Sequence, residues 1–154
     1  MENKVAILLG SDSDRPLVEP SIIYFEYFNI NVEIHTLSAH RNPDKVADFA
    51  QNARSNGYSI LIGGAGMAAH LAGALKAHST LPVIGLPLPG GALDGLDALM
   101  STVQMPKGVP VATMTIGKAG VINAAVLCAE IFSLNNDAIT KKLEDFKKAG
   151  CKIG

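Results

Sequence analysis

Five short apolar segments alternate with stretches of helical periodicity, and this alternation constrains the chain more than any other feature of its sequence. The segments cover residues 5–9, 32–37, 60–62, 83–86 and 111–113. Their apolar and β-branched composition is typical of buried strands, and the helical stretches between them indicate βαβ units. Strands that are apolar throughout indicate a parallel sheet with helices on both faces. The sequence therefore predicts an α/β fold.

Right-handed crossovers between such strands give an open, doubly wound sheet in a three-layer α/β/α arrangement. We expect the flavodoxin-like strand order 2-1-3-4-5. Further helices are expected over residues 67–78, 95–103, 118–132 and 137–148. Because 154 residues is close to the commonest domain size, we expect residues 1–154 to form a single catalytic domain.

The last predicted helix, over residues 137–149, is an amphipathic addition to this fold. Ile139, Leu143 and Phe146 fall on one of its faces, and charged side chains line the other. An apolar face of this kind must be covered, and we expect a neighbouring subunit to cover it.

Composition and charge exclude several classes of function. The chain has 13 Lys and Arg against 14 Asp and Glu, whereas binding to nucleic acid or to an anionic membrane needs a basic surface. No apolar stretch reaches membrane-spanning length and no signal peptide is visible, so we expect a cytoplasmic protein. Cys128 and Cys151 lack metal-ligand spacing, and Cys128 lies in an apolar run. We expect a small-molecule ligand, with no metal, nucleic acid or membrane partner.

Three loops of the predicted fold should surround one crevice. In an open parallel sheet, ligands bind beyond the carboxyl ends of the strands where the strand order reverses, here between strands 1 and 3. The loops are residues 10–14 (Gly-Ser-Asp-Ser-Asp), 38–43 (Ser-Ala-His-Arg-Asn-Pro) and 63–70 (Gly-Gly-Ala-Gly-Met-Ala-Ala-His). They carry most of the polar side chains that could act on a ligand.

The first loop suits a phosphate or sugar hydroxyls. Ser11 and Ser13 supply hydroxyls, and the backbone offers N–H groups at the start of a helix. Because a carboxylate repels a phosphate dianion, at least one of Asp12 and Asp14 should accept hydrogen bonds from ribose hydroxyls or point to solvent. The same four residues could equally be helix caps and turn formers.

The second loop combines an anion-binding group with a proton carrier. Arg41 offers a bidentate fork for a phosphate, and Ser38 can donate a further hydrogen bond. His40 lies between them, and an imidazole both gives and takes protons near neutral pH. We therefore expect His40 to be catalytic.

The third loop lets a ligand approach the backbone closely, because it contains three glycines and no charge before His70. Its spacing is not a dinucleotide fingerprint, and no Walker lysine pattern occurs in the chain. His70 is either a second polar group in the pocket or a capping and packing residue. His35, within a strand, and His78, at a helix end, are expected to be structural.

These motifs resemble the N5-carboxyaminoimidazole ribonucleotide mutases of the AIR carboxylase family. The resemblance runs from residue 5 to about residue 132, and it rests on residues 10–14, 38–43, 68–71 and 101–125 in the same order and spacing. It implies an isomerase of purine biosynthesis that moves a carboxylate on a phosphoribosyl-aminoimidazole substrate. It also implies that the enzyme uses no cofactor and assembles as a homo-octamer with its sites near subunit contacts.

The resemblance also implies roles for individual residues. His40 would be the proton shuttle and His70 the second catalytic residue. The phosphate would be held by Ser11, Ser13, Ser38 and Arg41, and Asp14 would hold the ribose hydroxyls. The other implied contacts, several of them around the carboxylate and the transient carbon dioxide, are made by Ala39, Gly64, Gly66 and Leu71.

Two departures from the family pattern and two alternative functions qualify this interpretation. Met67 stands where a glycine is expected, and Ala72 where the family often has proline, so we expect a slightly different pocket wall. A related branch carboxylates aminoimidazole ribonucleotide directly with carbon dioxide, but residues 68–71 (Ala-Ala-His-Leu) favour the mutase. A non-catalytic module that binds a phosphorylated ligand such as FMN is disfavoured, because the chain has no Trp.

Overall fold

The computed structural model describes residues 3–153, which form one five-stranded sheet in the order β2-β1-β3-β4-β5. Every pair of neighbouring strands is parallel, so the predicted flavodoxin-like α/β fold is confirmed. The strands are β1 (Lys4–Leu9), β2 (Asn31–Thr36), β3 (Ile60–Ala65), β4 (Val83–Pro87) and β5 (Ala112–Thr113). The helices are α1 (Arg15–Val18), α2 (Ile22–Tyr27), α3 (Pro43–Asn52), α4 (Leu71–His78), α5 (Leu96–Val103), α6 (Lys118–Ser133) and α7 (Asp137–Lys148).

The sheet separates two hydrophobic cores. Alternate residues of β1 point to opposite faces: Val5, Ile7 and Leu9 join one core, and Ala6 and Leu8 join the other. All five are fully buried, which explains why residues 5–9 of this strand are all apolar. Side chains of α1, α2, α6 and α7 complete the first core, and side chains of α3 and α4 complete the second.

Helix α4 begins at Leu71, not at residue 67 as the sequence predicted. Met67 has a φ of 54°, in the left-handed region that an α-helix cannot include. The Ala69 N–H bonds to a side chain of α5 instead of to a helical carbonyl. Residues 66–70 therefore stay in a loop, and this loop contributes to the site described below.

The apolar face of α7 packs within its own chain. Ile139, Leu143 and Phe146 are buried in the first core, where the Phe146 ring lies 5.4 Å from that of Phe28 and 6.2 Å from that of Tyr24. The prediction that a neighbouring subunit covers this face is therefore wrong, because α2 and α6 already cover it. The amphipathic pattern was interpreted correctly, but the surface that it needs lies in the same polypeptide.

Two further predictions concern Cys128 and membrane-spanning helices. Cys128 is fully buried in the first core, as expected, and burial raises the pKa of its thiol. Within residues 3–153, no helix is both long enough and apolar enough to cross a membrane.

Candidate active site

A cavity of about 530 Å³ opens at the carboxyl ends of the strands, and the three predicted loops meet around it. The same edge brings in a fourth loop, which follows β4. The cavity is lined by Gly10, Ser11, Ser13, Asp14, Ser38, Ala39, His40, Arg41, Ala65, Gly66, Met67, Ala68, His70, Leu71, Pro89, Gly90 and Gly91. This wall includes every site residue expected from the sequence except Gly64.

The first loop turns sharply, and its serines serve both the turn and the cavity. The Ser11 hydroxyl caps the short 3₁₀ turn at Asp12–Asp14 by accepting a hydrogen bond from the Ser13 N–H, at 3.3 Å. The two serine Oγ atoms lie 2.8 Å apart, and both residues line the cavity. The capping and ligand-binding interpretations are therefore compatible, because a hydroxyl can donate and accept at once.

The two carboxylates of the first loop lie in different places. Asp12 lies outside the cavity wall, where its Oδ1 accepts a hydrogen bond from Thr36 Oγ1 at 2.5 Å. Asp14 lines the cavity, and burial raises the pKa of its carboxyl, although a backbone hydrogen bond with Ser11 partly offsets that rise. Asp14 is thus the carboxylate of this loop that can accept hydrogen bonds from a bound ligand.

The second loop presents a guanidinium to the cavity. The Ser38 hydroxyl accepts a hydrogen bond from the Arg41 N–H at 3.3 Å, and the Ser38 carbonyl accepts one from the Asn42 N–H at 2.8 Å. Both contacts fix the backbone just before α3. The Arg41 side chain is exposed, and no carboxylate of residues 3–153 forms a salt bridge with it. Its five donors are available for an anionic ligand.

The second and third loops meet at a pair of histidines. His40 Nε2 lies 2.7 Å from His70 Nδ1, and the two rings are nearly perpendicular, with centroids 4.9 Å apart. A hydrogen bond between two ring nitrogens needs a proton on one and a lone pair on the other. A proton can therefore move between His40 Nε2 and His70 Nδ1. His70 was ambiguous in the sequence, and the structure places it in the pocket as well as at the N-cap of α4.

Gly64 does not reach the cavity. It lies buried in β3, where its carbonyl accepts a hydrogen bond from the Gly10 N–H at 3.0 Å. A Cβ at this position would lie 3.1 Å from a methyl carbon of Leu9. The glycine is therefore explained by tight packing between strands, and the structure gives no support to its predicted contact with the substrate.

The two departures from the family pattern have different consequences. Met67 lines the cavity and is 62% exposed, and a Cβ on Gly91 would lie 2.9 Å from Met67 Cγ. It therefore connects the third loop to the fourth. Ala72, in contrast, is buried, and its Cα would lie 2.8 Å from a Cβ on Gly63. Ala72 packs a helix onto a strand and takes no part in the pocket wall.

Sequence reasoning missed the fourth loop. Pro89, Gly90 and Gly91 line the cavity, both glycines have positive φ, and the Gly90 N–H donates to Asp94 Oδ1 at 3.2 Å. The signal was present, because a Pro-Gly-Gly turn two residues after a predicted parallel strand is expected at the ligand-binding edge. His35 lies elsewhere, in contact with Phe49 and Tyr58, as a structural histidine should.

The described residues contain no group of three or more His, Cys, Asp or Glu that could hold a metal ion. What the cavity offers is hydroxyls, one guanidinium, one carboxylate and a pair of imidazoles. This geometry is typical of α/β enzymes that act on a phosphorylated small molecule through proton transfer.

Comparison with known proteins identifies the group to which this enzyme belongs. The family model described as AIR carboxylase matches residues 4–152, and the chain belongs to that family. It is 45% identical over 146 residues to the N5-carboxyaminoimidazole ribonucleotide mutase of Escherichia coli K12, covering 95% of this chain and 86% of that protein. It is also 45% identical over 145 residues to the Bacillus subtilis enzyme of the same name, covering 94% and 90%.

Solved structures agree with this assignment. A crystal structure of Treponema denticola PurE superposes with a TM-score of 0.86 at 27% identity, covering 96% of this chain and 91% of that one. A second structure, of Treponema denticola PurE2-S38D, gives a TM-score of 0.87 at 26% identity, covering 98% and 92%.

Proposed function

We propose that this protein is an N5-carboxyaminoimidazole ribonucleotide mutase of purine (IMP) biosynthesis. It would convert N5-carboxyaminoimidazole ribonucleotide to 4-carboxy-5-aminoimidazole ribonucleotide. The observation that carries the proposal is the His40–His70 hydrogen bond of 2.7 Å, which lies in the same cavity as Arg41. The reaction needs a proton carrier near the group that binds the phosphate ester, and the proposal is supported because the two imidazoles and the Arg41 guanidinium line the same cavity.

The lining of the cavity supports a binding mode for the phosphoribosyl part of the substrate. Donors for the phosphate come from the first and second loops, namely Ser11, Ser13, Ser38 and Arg41. Asp14 would accept hydrogen bonds from the ribose hydroxyls, a role that suits a partly desolvated carboxylate better than contact with a phosphate dianion. At about 530 Å³, the cavity has the size of a typical small-molecule site.

The chemistry would proceed in two steps with no net change in protons. The N–C bond of the carbamate breaks as N5 takes a proton from His40, which gives aminoimidazole ribonucleotide and carbon dioxide. Ring C4 then attacks the same carbon dioxide, and His40 takes the proton that C4 loses. His70 can hold or return that proton through the hydrogen bond between the rings. Because the proton count closes, this route calls for no cofactor or metal.

Two physical effects would accelerate the reaction. Proton transfer by a positioned group typically contributes about a hundred- to ten-thousand-fold. Holding the released carbon dioxide against C4 removes the entropy cost of a second encounter. The third and fourth loops, which meet where Met67 contacts Gly91, form the wall that would retain the gas.

The test is the variant His40→Asn, which keeps a polar side chain but cannot carry a proton. We expect turnover of N5-carboxylated substrate to fall at least about a hundredfold. His78→Asn is the matched control, because His78 is exposed at the far end of α4 and should leave the rate unchanged. A near-normal rate for purified His40→Asn would rule out the role assigned to His40.

Direct carboxylation of aminoimidazole ribonucleotide is the competing activity, and substrate choice separates the two. Pure protein without ATP should form the C4-carboxylated product from the N5-carboxylated compound. It should form little product from the uncarboxylated ribonucleotide with bicarbonate. The reverse preference would identify a direct carboxylase.

We further propose that the enzyme is a cytoplasmic homo-octamer. Support comes from an apolar strip beside the cavity mouth, consisting of Leu93, Leu96, Met100 and Val103, each of which is between 44% and 59% exposed. Three of these residues lie on α5, and apolar patches of this kind mark interfaces. Light scattering should give an octamer mass for the native protein and a smaller mass for Met100→Lys. A native monomer would refute the assembly.

A further inference from the structure

Ser101 lies behind the cavity wall, on α5, and contacts the loop that carries His70. Its Oγ accepts a hydrogen bond from the Ala69 N–H at 2.9 Å and donates its own proton to the Asp97 carbonyl at 2.7 Å. Ser101 does not line the cavity. A hydroxyl that both accepts and donates in this way connects the loop to the helix through one atom.

Ser101 Oγ is the hydrogen-bond acceptor of the Ala69 N–H. Ala69 is 3% exposed and lies before the first residue of α4, so its N–H is not part of the helical hydrogen-bond ladder. A buried N–H without an acceptor is destabilising, because it has given up its hydrogen bond to water and gained none in return. The hydrogen bond to Ser101 therefore stabilises the loop segment in this position.

His70 follows immediately and is fixed on both sides. Its N–H donates to the Ala68 carbonyl at 3.0 Å, and its carbonyl accepts from the Ala74 N–H at 2.9 Å. With the neighbouring Ala69 N–H held by Ser101, the backbone position from which the His70 side chain extends is held as well, and its Nδ1 lies 2.7 Å from His40 Nε2. The phosphate donors lie on other loops and have no such link to α5.

We propose that Ser101 is a positioning residue for the histidine pair, acting through the Ala69 N–H. The inference rests on the proposed mutase function. It gives α5 a part in catalysis, although α5 contributes no residue to the cavity wall. A displacement of about 1 Å in a reacting group can lower a rate about a hundredfold. Loss of the Ser101 hydroxyl therefore affects proton transfer more than substrate binding.

The kinetic test compares Ser101→Ala with Ser101→Thr, which keeps the hydroxyl. We expect Ser101→Ala to lose at least about tenfold in kcat while KM changes by less than about twofold, because only the transition state uses the histidine geometry. Ser101→Thr should recover to within about threefold of the parent kcat.

The matched control is Ser133→Ala. Ser133 is also a helical serine, and its hydroxyl donates to the Glu130 carbonyl at 2.7 Å, but it lies on α6, away from the cavity. It should leave kcat unchanged. Equal kcat values for Ser101→Ala and Ser133→Ala would overturn the proposal, and so would a Ser101→Ala defect confined to KM.

A second measurement separates this proposal from the proposed function. In histidine-labelled protein without substrate, NMR should show changed ring signals for His40 and His70 in Ser101→Ala, with those of His35 and His78 unchanged. If the parent protein lacks mutase activity, the function is wrong, and these spectra still decide the role of Ser101. Unchanged His40 and His70 signals would overturn it.

Discussion

Truncation of Phe146 to alanine tests whether α7 is held by its own chain. Phe146 is 3% exposed, and its ring packs edge-on against Phe28 at 5.4 Å and Tyr24 at 6.2 Å. Removal of a buried phenylalanine lowers the free energy of unfolding by about 3–5 kcal/mol. Because Phe146 also loses two edge-to-face ring pairs, we expect a loss of about 4 kcal/mol. For a chain of 154 residues, that loss lowers Tm by about 8–16 °C.

The assay is thermal unfolding followed by circular dichroism at two protein concentrations tenfold apart. Because the contacts lie within one chain, the difference in Tm between Phe146→Ala and the parent should be the same at both concentrations. Lys147→Ala, on the exposed face of α7, is the control and should shift Tm by no more than about 2 °C. A shift below about 3 °C for Phe146→Ala, or one that depends on concentration, would refute packing within the chain.

Three other substitutions, at two positions, test the cavity wall. Since burial raises the Asp14 pKa, the folded chain disfavours the carboxylate, so this destabilisation is present above the folded pKa and vanishes below the unfolded one. Asp14→Asn should therefore raise Tm at pH 7 but not at pH 3, while KM increases; an equal Tm gain at both values would contradict this sign. Met67 has a φ of 54°, so Met67→Gly should fold with Tm within about 3 °C of the parent. Met67→Val should be clearly less stable, because β-branched residues avoid positive φ, and equal Tm values would show that this strain is absent.

The fold and the place of the site could be predicted because both follow from pattern. The apolar strands with helices between them determine a doubly wound sheet, and the switch-point rule then selects the loops after β1, β2 and β3. The rule also applies to β4, yet residues 89–91 carry no side chain with obvious chemistry. The loop after β4 was therefore missed, because reactive side chains guided the prediction and these residues have none.

Contacts between distant segments could not be predicted from the sequence. The pattern of α7 shows that Ile139, Leu143 and Phe146 must be buried against another surface. The sequence around these residues does not show that α2 and α6 form that surface. The role of Ser101 has the same origin, because a serine inside a helix gives no sign that an N–H from 32 positions away needs its oxygen. Such pairs depend on how closely neighbouring helices approach one another on the same face of the sheet.

The glycines at 63 and 85 determine that approach for the catalytic edge. A Cβ on Gly63 would lie 2.8 Å from Ala72 Cα, and one on Gly85 would lie 2.3 Å from Thr102 Cγ2, so α4 and α5 pack directly against strand backbone. This close packing places Ser101, next to Thr102, within reach of the loop that begins α4. Gly63, which lies in a predicted ligand-binding loop, thus acts partly at a distance together with Gly85, because the two glycines set the positions of the helices that orient His70.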